Sequence, residues 1–346
     1  MYHAGRDFDL RHNDSYVQLS VLDQSPIAEG STAGDALRNT IDLARLAEDL
    51  GYSRYWLAEH HGTPGLADAS PEVMVGPVAA ATSRLHVGTG GIMLPHYSPL
   101  KVAETFSMLS ALYPGRIDLG LGRAAGTSPG VAFALQRDRR QPAPDDFHDQ
   151  LQELLGYLEN RGPVNGPFRQ TASMHFESPE PWLLGSSPQS GIWAAELGLP
   201  YVFADFINPN GEAIAAHYRE HFEPSTRLSK PRIGVATWAI CAETDEEAQR
   251  LASSMRMLML MLYRGRLIPV PSVETALEFL ANEGVAAETL PVGRRITVGT
   301  PEKVRAVIEE VAEDYGAEEV FVVNIMHDHA ARKRSYELIA RAFGMG

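Results

Sequence analysis

Two adjacent histidines, His60 and His61, come after Glu59 at the end of a short apolar segment. Imidazole gains and loses a proton near neutral pH, so a histidine at the end of a strand is suited to proton transfer. The competing interpretation is a hydrogen-bonded core histidine. A metal site is not expected, because adjacent histidines rarely bind one ion together and no His-Glu-x-x-His spacing occurs. We predict catalytic roles for His60 and His61 and no metal centre.

A second polar group begins with Gly185, Ser186 and Ser187 and continues to Ser190, where a predicted strand gives way to a predicted helix. Unpaired backbone N–H groups and the helix dipole favour an anion at such a place, and hydroxyl groups add donors. Arg123, at the end of the neighbouring predicted strand, offers a planar charged group. The serines alone are equally consistent with an ordinary helix cap. Together with Arg123 they favour a phosphate site.

The elements that must position these residues form an alternating pattern. Eight short apolar segments are predicted as strands, at 19–22, 54–58, 85–94, 117–122, 182–184, 201–204, 233–241 and 320–325. Each is followed by a predicted helix, and several strands are apolar on both faces, as parallel strands covered by helices are. Eight such units favour an α/β fold with one (β/α)8 TIM barrel, whose active site lies past the C-terminal ends of the strands.

Three segments lie outside this alternation. Residues 1–17 are polar and are predicted to be an N-terminal extension of a barrel spanning 18–346. Residues 124–146 form a long connection after the fourth strand, and 264–295 a longer one between the seventh helix and the last βα unit. Long connections in a compact fold are commonly functional. We interpret the second as an insertion that acts as a lid, with a plain surface insertion as the alternative.

Composition excludes several classes of protein. The formal net charge of −14 argues against a nucleic-acid partner, because phosphate neutralisation requires a surplus of Lys and Arg. The single cysteine, Cys241, fits a reducing compartment, and neither a signal peptide nor an apolar segment of membrane-spanning length is present. We therefore predict a cytoplasmic protein with no membrane or nucleic-acid partner.

Several motifs, taken in order, resemble the bacterial-luciferase-like flavin-dependent monooxygenases, over roughly residues 18–345. They are Trp56-Leu-Ala-Glu-His-His61, Val87-Gly-Thr-Gly-Gly-Ile-Met-Leu-Pro95, Ser98-Pro99, Pro114-Gly-Arg116, Leu119-Gly-Leu-Gly-Arg123, Gly185-Ser-Ser-Pro-Gln-Ser190, Trp193-Ala-Ala195 and Val298-Gly-Thr-Pro-Glu302. The resemblance implies a barrel that binds flavin mononucleotide (FMN) at the C-terminal ends of its strands. It also implies that a separate flavin reductase supplies reduced FMN. The reduced FMN would react with O2 to form a flavin C4a-peroxide, and this peroxide would oxygenate a small organic substrate.

By motif position, the resemblance assigns Arg123, Ser187 and Ser190 to the FMN phosphate. Gly90 and Gly91 match a glycine pair that luciferase joins by a cis peptide bond beneath the isoalloxazine ring. With Gly185 and Ser186 from the same turn, these are the predicted cofactor-binding residues. His60 matches the luciferase histidine that turnover requires, and His61 stands beside it.

The sequence also departs from luciferase. Gly122 stands where luciferase carries a reactive cysteine, so chemistry that depends on that thiol is not expected. Luciferase pairs two different chains, whereas one chain type predicts a homodimer, and light emission is not inferred. Two alternatives remain open: hydride transfer with the deazaflavin F420, and a flavin-binding protein without turnover.

Overall fold

The computed structural model describes residues 17–124, 126–136, 138–142, 145–159, 177–285 and 295–346. Nine β-strands follow one another: β1 Gln18–Asp23, β2 Arg54–Leu57, β3 His86–Met93, β4 Ile117–Gly122, β5 Glu180–Gly185, β6 Tyr201–Ala204, β7 Ile233–Cys241, β8 Ile296–Gly299 and β9 Glu319–Val323. The helices are α1 Ala33–Leu50, α2 Pro71–Ala81, α3 Pro99–Leu112, α4 Pro129–Leu135, α5 Phe147–Leu158, α6 Pro188–Glu196, α7 Glu212–Glu220, α8 Asp245–Tyr263, α9 Val273–Asn282, α10 Pro301–Tyr315 and α11 His329–Ala342.

Eight of these strands close into a parallel barrel. Neighbours pair in chain order from β1 to β7, and β9 closes the ring by pairing with both β7 and β1. Helices lie between successive strands, as parallel pairing requires. The predicted (β/α)8 barrel is therefore confirmed. Within the described residues, no helix combines the length and the apolarity that crossing a membrane requires.

Strand β8 was not predicted. It pairs with the last four residues of β7, from Trp238 to Cys241, whereas the first residues of β7 pair with β6 and β9. Because β7 is nine residues long, it extends past the barrel and offers a free edge to β8. β8 has only four residues and leads at once into α10, so it is too short to show a periodic pattern.

The two long connections contain secondary structure that the sequence did not indicate. The first includes the short helix α4, and the second includes α9. Val270, which precedes α9, donates its N–H to the Ile27 carbonyl at 2.8 Å and accepts the Glu29 N–H at 2.8 Å. The second connection is thus joined to the loop after β1, at the C-terminal end of the barrel. Its role as a lid stays a prediction, and residues 1–16 of the predicted extension lie outside the described residues.

The N-terminal end of the barrel holds a buried ion network. Arg54, the first residue of β2, places Nη1 2.7 Å from Asp118 Oδ2 and Nε 3.2 Å from Glu319. Glu180 lies 3.3 Å from the same guanidinium, and the Trp56 indole donates to Asp118 at 2.8 Å. Asp118 is fully buried and Arg54 is 6% exposed. The network joins β2, β4, β5 and β9 at the end opposite to the predicted active site.

Candidate functional site

A cavity lies at the C-terminal ends of the barrel strands. All but one of the residues predicted from sequence to form the site contribute to its lining: His60, Gly90, Gly91, Arg123, Gly185, Ser186, Ser187 and Ser190. The exception is His61. These residues lie within β3 and at or just after the C-terminal ends of β2, β4 and β5, so the barrel brings together positions that are up to 130 residues apart in the sequence. The rest of the lining is largely apolar and includes Leu22, Trp56, Leu184 and Phe321.

One wall of the cavity is made of backbone. The peptide bond between Gly90 and Gly91 is cis. A Cβ atom added to Gly91 would lie 2.6 Å from the Gly120 carbonyl oxygen and 2.8 Å from Leu184 Cδ1. One added to Gly90 would lie 2.5 Å from Leu22 Cδ1. Real Cβ atoms do not approach other atoms so closely. Because the Gly91 contact is with the backbone of β4, glycine is required there, whereas a Cβ at Gly90 would force the Leu22 side chain to shift.

His60 is held by a buried carboxylate. Its Nδ1 lies 2.8 Å from Asp68 Oδ2, and Asp68 is 3% exposed. The Nε2 atom is the ring nitrogen left for a group in the cavity. Burial alone would lower the pKa of His60, but the charge and hydrogen bond of Asp68 and the charge of Glu59 outweigh it and raise the pKa above its usual value. Asp68 therefore fixes the ring orientation and stabilises its protonated form.

His61 points to different partners. Its Nε2 lies 2.7 Å from Glu59 Oε1, and the other oxygen of Glu59 accepts the Met93 N–H at 2.9 Å. Glu59 is fully buried. The adjacent histidines are thus separated by the structure: His60 reaches the cavity, and His61 binds a carboxylate beside it.

The turn after β5 presents free polar groups. Ser187 precedes α6, but its side chain makes no capping hydrogen bond, so the alternative of an ordinary serine cap is not realised. Within the described residues, the hydroxyl groups of Ser186 and Ser187 make no hydrogen bond. Ser190 differs, because its hydroxyl donates to the Ser187 carbonyl at 2.7 Å and lies 2.9 Å from the Tyr201 hydroxyl. The first turn of α6 adds backbone N–H groups that have no partner within the helix.

Arg123 lies at the edge of the cavity, at the end of β4. Its side chain is exposed, and its guanidinium carbon lies 5.5 Å from the centre of the Trp193 ring. Within the described part of the chain, Arg123 has no carboxylate partner. A cation that is positioned by an aromatic ring and left without a counterion is suited to bind an anionic ligand.

Sequence reasoning missed two contributors to this site. Asp68 lies in the loop between β2 and α2, and no motif marked it. Trp193 lies on α6 within a quoted motif, but nothing in the sequence indicated that it would support Arg123. The Asp68–His60 and Trp193–Arg123 contacts depend on how the loops and helices pack together in the fold. The periodicity of apolar residues in the sequence does not indicate such contacts.

Comparison with known proteins identifies the family. The model of the family described as luciferase-like monooxygenase matches residues 17–319. A luciferase-like monooxygenase of Escherichia coli strain K12 is 40% identical over 330 residues, which cover 94% of this chain and 96% of that protein. The N-acetyl-S-alkylcysteine monooxygenase of Bacillus subtilis strain 168 is 35% identical over 331 residues, with 94% and 98% covered.

A solved structure shares the fold at lower identity. The oxygenating constituent of 3,6-diketocamphane monooxygenase from Pseudomonas putida, in complex with FMN, superposes with a TM-score of 0.69 at 18% identity, and the match covers 94% of this chain and 98% of that one. The chain therefore belongs to the luciferase-like monooxygenase family, and it is an oxidoreductase.

Proposed function

We propose that this enzyme binds reduced FMN in the cavity at the end of the barrel and uses O2 to oxygenate a small organic substrate. One observation carries the proposal: a glycine wall, a histidine held by a carboxylate and a turn with unused serine hydroxyl groups line the same cavity. The FMN complex of the 3,6-diketocamphane monooxygenase constituent supports the choice of cofactor. The reductase, a homodimeric assembly and a cytoplasmic location, all predicted from the sequence, belong to the proposal as well.

The residues present fit FMN at both of its ends. A flat ring system can lie against the Gly90–Gly91 backbone, where no side chain projects, and the apolar lining excludes water from it. A phosphate suits the other end, where Ser186, Ser187 and Arg123 offer donors that are otherwise unused. Ser190 and Gly185 support this turn, because the Ser190 hydroxyl holds the Ser187 carbonyl.

Bound reduced flavin supplies the activation of O2. The chain supplies position and a proton. His60 directs Nε2 at the cavity while Asp68 holds Nδ1, so the ring can hold or deliver a proton at one defined atom. The apolar lining keeps bulk water from the reacting groups, and this limits wasteful release of hydrogen peroxide.

Replacing Arg123 with alanine is expected to weaken FMN binding by about tenfold or more, because a charge-assisted hydrogen bond contributes about 1.5–3 kcal/mol. Riboflavin, which lacks the phosphate, should bind Arg123→Ala and the wild type equally well. Fluorescence titration with both ligands separates loss of a phosphate contact from general damage to the cavity.

Lys230 provides the matched control for this charge. It is exposed and precedes β7, at the opposite end of the barrel. Lys230→Ala should bind FMN as the wild type does. If Arg123→Ala weakens FMN and riboflavin binding alike, Arg123 does not bind the phosphate.

Replacing Asp68 with asparagine is expected to lower turnover without changing the affinity for FMN. Asparagine keeps the size of the side chain but removes the charge that orients His60. The effect should be smaller than that of removing His60, and Asp68→Glu should recover part of the rate. Equal losses of rate and FMN affinity would instead indicate that Asp68 only maintains the loop.

The oxygenase reaction itself is tested with reduced FMN bound under anaerobic conditions and then mixed with O2. We expect a transient absorbance that differs from those of both reduced and oxidised flavin. Reoxidation at the rate of free FMN would contradict the proposal. Tighter binding of F420 than of FMN would favour the hydride-transfer alternative.

A further inference from the structure

A cluster of potential metal ligands lies beside the cavity. Glu59, His61 and His96 each offer one ligand atom, and these atoms all lie within 4.8 Å of one another. His96 belongs to a short 3-10 helix, 94–96, that directly follows β3, so the cluster joins the loops after β2 and β3. We propose that these three residues, named here the Glu59–His61–His96 cluster, bind one divalent transition-metal ion such as Zn²⁺.

The arrangement of the donors supports this assignment. The rings of His61 and His96 meet edge to face, with their centres 5.7 Å apart and their planes at 88°. Two imidazoles from different directions and one carboxylate suit Zn²⁺, Co²⁺ or Ni²⁺, whereas Mg²⁺ and Ca²⁺ require a set of oxygen ligands. The contact between Glu59 Oε1 and His61 Nε2 is 2.7 Å, and it must open to about 3.4 Å for both atoms to bind a tetrahedral ion at about 2.0–2.2 Å.

The surroundings hold the carboxylate in place. Glu59 Oε2 accepts the Met93 N–H at 2.9 Å, which leaves Oε1 directed at His61. Such hydrogen bonds outside the ligand set orient metal ligands in known sites. Glu59 is fully buried and the His61 side chain is only 13% exposed, so an ion would be largely protected from solvent.

A second carboxylate makes a cation favourable here. Glu72 lies in the first turn of α2, and the charges of Glu59 and His61 both act on it. Its Oε2 atom is buried and has no hydrogen-bond partner within the described residues. An unpaired buried carboxylate oxygen is costly, and a divalent cation nearby offsets that cost. A water molecule can complete four-coordination.

The sequence prediction of no metal centre rested on the adjacency of His60 and His61 and on the absence of a His-Glu-x-x-His spacing. The structure agrees that the two adjacent histidines do not bind one ion together, because only His61 belongs to the cluster and His60 binds Asp68. The missing ligand is His96, which lies 35 positions after His61 and reaches it through the pairing of β2 with β3.

Metal binding at this place has a structural consequence that does not depend on flavin. The ion ties the loop after β2 to the turn after β3, and it fixes both neighbours of His60 in the sequence. A ligand that binds only the folded chain raises its thermal stability. Zn²⁺ is therefore expected to raise the melting temperature of the chain in the absence of FMN.

The test uses the full chain without a histidine tag, stripped with a chelator and then dialysed. Titration with Co²⁺ alone should give the visible absorption of a tetrahedral site and saturate at one ion per chain, with the metal content confirmed by mass spectrometry. His61→Gln and His96→Gln should each weaken binding by at least about tenfold. His96→Cys should keep the ion and change the Co²⁺ spectrum, since sulfur replaces nitrogen as a ligand.

His221→Gln is the matched control, because this histidine is exposed at the end of α7. It should bind Co²⁺ as the wild type does. The proposal would be overturned if the wild-type chain did not bind one equivalent of Co²⁺. It would also be overturned if a folded His96→Gln variant bound Co²⁺ with unchanged affinity. Because the readout is metal content and a spectrum in flavin-free protein, failure of the proposed oxygenase function would not alter it.

Discussion

Replacement of His60 by alanine is expected to lower turnover by about 10²- to 10⁴-fold, the usual contribution of a positioned acid or base. His60 is the histidine of the pair that lines the cavity, and Asp68 holds its Nδ1 at 2.8 Å. Because the predicted phosphate contacts follow β4 and β5 whereas His60 follows β2, the affinity for FMN should stay unchanged. The measurement is stopped-flow absorbance of the reduced FMN complex after mixing with O2, together with FMN titration.

Two further variants sharpen this prediction. His221→Ala removes an exposed histidine at the end of α7 and should leave the rate unchanged. His60→Gln keeps a polar group but cannot exchange a proton, so it should be as slow as alanine if His60 transfers a proton. A His60→Ala enzyme with wild-type kinetics would exclude His60 from the reaction.

Replacement of Arg54 by methionine is expected to destabilise the fold by about 3–5 kcal/mol, because it removes the nearest counterion of two buried carboxylates. Arg54 connects Asp118 with Glu319 at the base of the barrel, and both carboxylates are at most 2% exposed. The other basic partners in the described part of the chain lie farther away: His86 is 3.6 Å from Asp118, and Arg232 is 3.7 Å from Glu319. Arg54→Lys keeps the charge but loses the planar group that bonds two carboxylates at once, so its loss should be intermediate. Urea unfolding followed by circular dichroism measures both.

The control is an ion pair of the same type on the surface. Arg38 lies 2.6 Å from Asp35 on α1, with both side chains exposed. Arg38→Met should cost less than about 1 kcal/mol, as exposed pairs do. If Arg54→Met costs no more than this control, the network at the base of the barrel does not stabilise the fold.

The barrel could be predicted from the sequence because each of its βα units has a recognisable pattern within a short stretch of chain. Each strand is a short apolar segment followed by an amphipathic helix, and the rule that active sites follow the C-terminal strand ends then selected His60, Arg123 and the turn at Ser187. These residues do line one cavity. Their chemical roles stay predictions until the variants are measured.

The missed features depend on contacts between distant parts of the chain. In the sequence, Arg54 is an ordinary charged residue at the start of a predicted strand. Nothing near it indicates an ion pair, because its partner Glu319 lies 265 positions away. The separation of His60 from His61 depends on their different carboxylate partners, Asp68 and Glu59. Strand β8 depends on the length of β7. None of these contacts leaves a periodic pattern in the sequence.

The backbone wall at Gly90 and Gly91 also limits how such an enzyme can evolve. A wall made of backbone offers no side chain to vary, and a side chain added there would meet the Gly120 backbone at position 91 or the Leu22 side chain at position 90. New substrate preferences are therefore expected to arise from the side chains across the cavity, such as Phe147, Phe206 and Ile207. A mutant library built on those three positions should yield altered selectivity, whereas one built on the two glycines should yield mainly inactive protein.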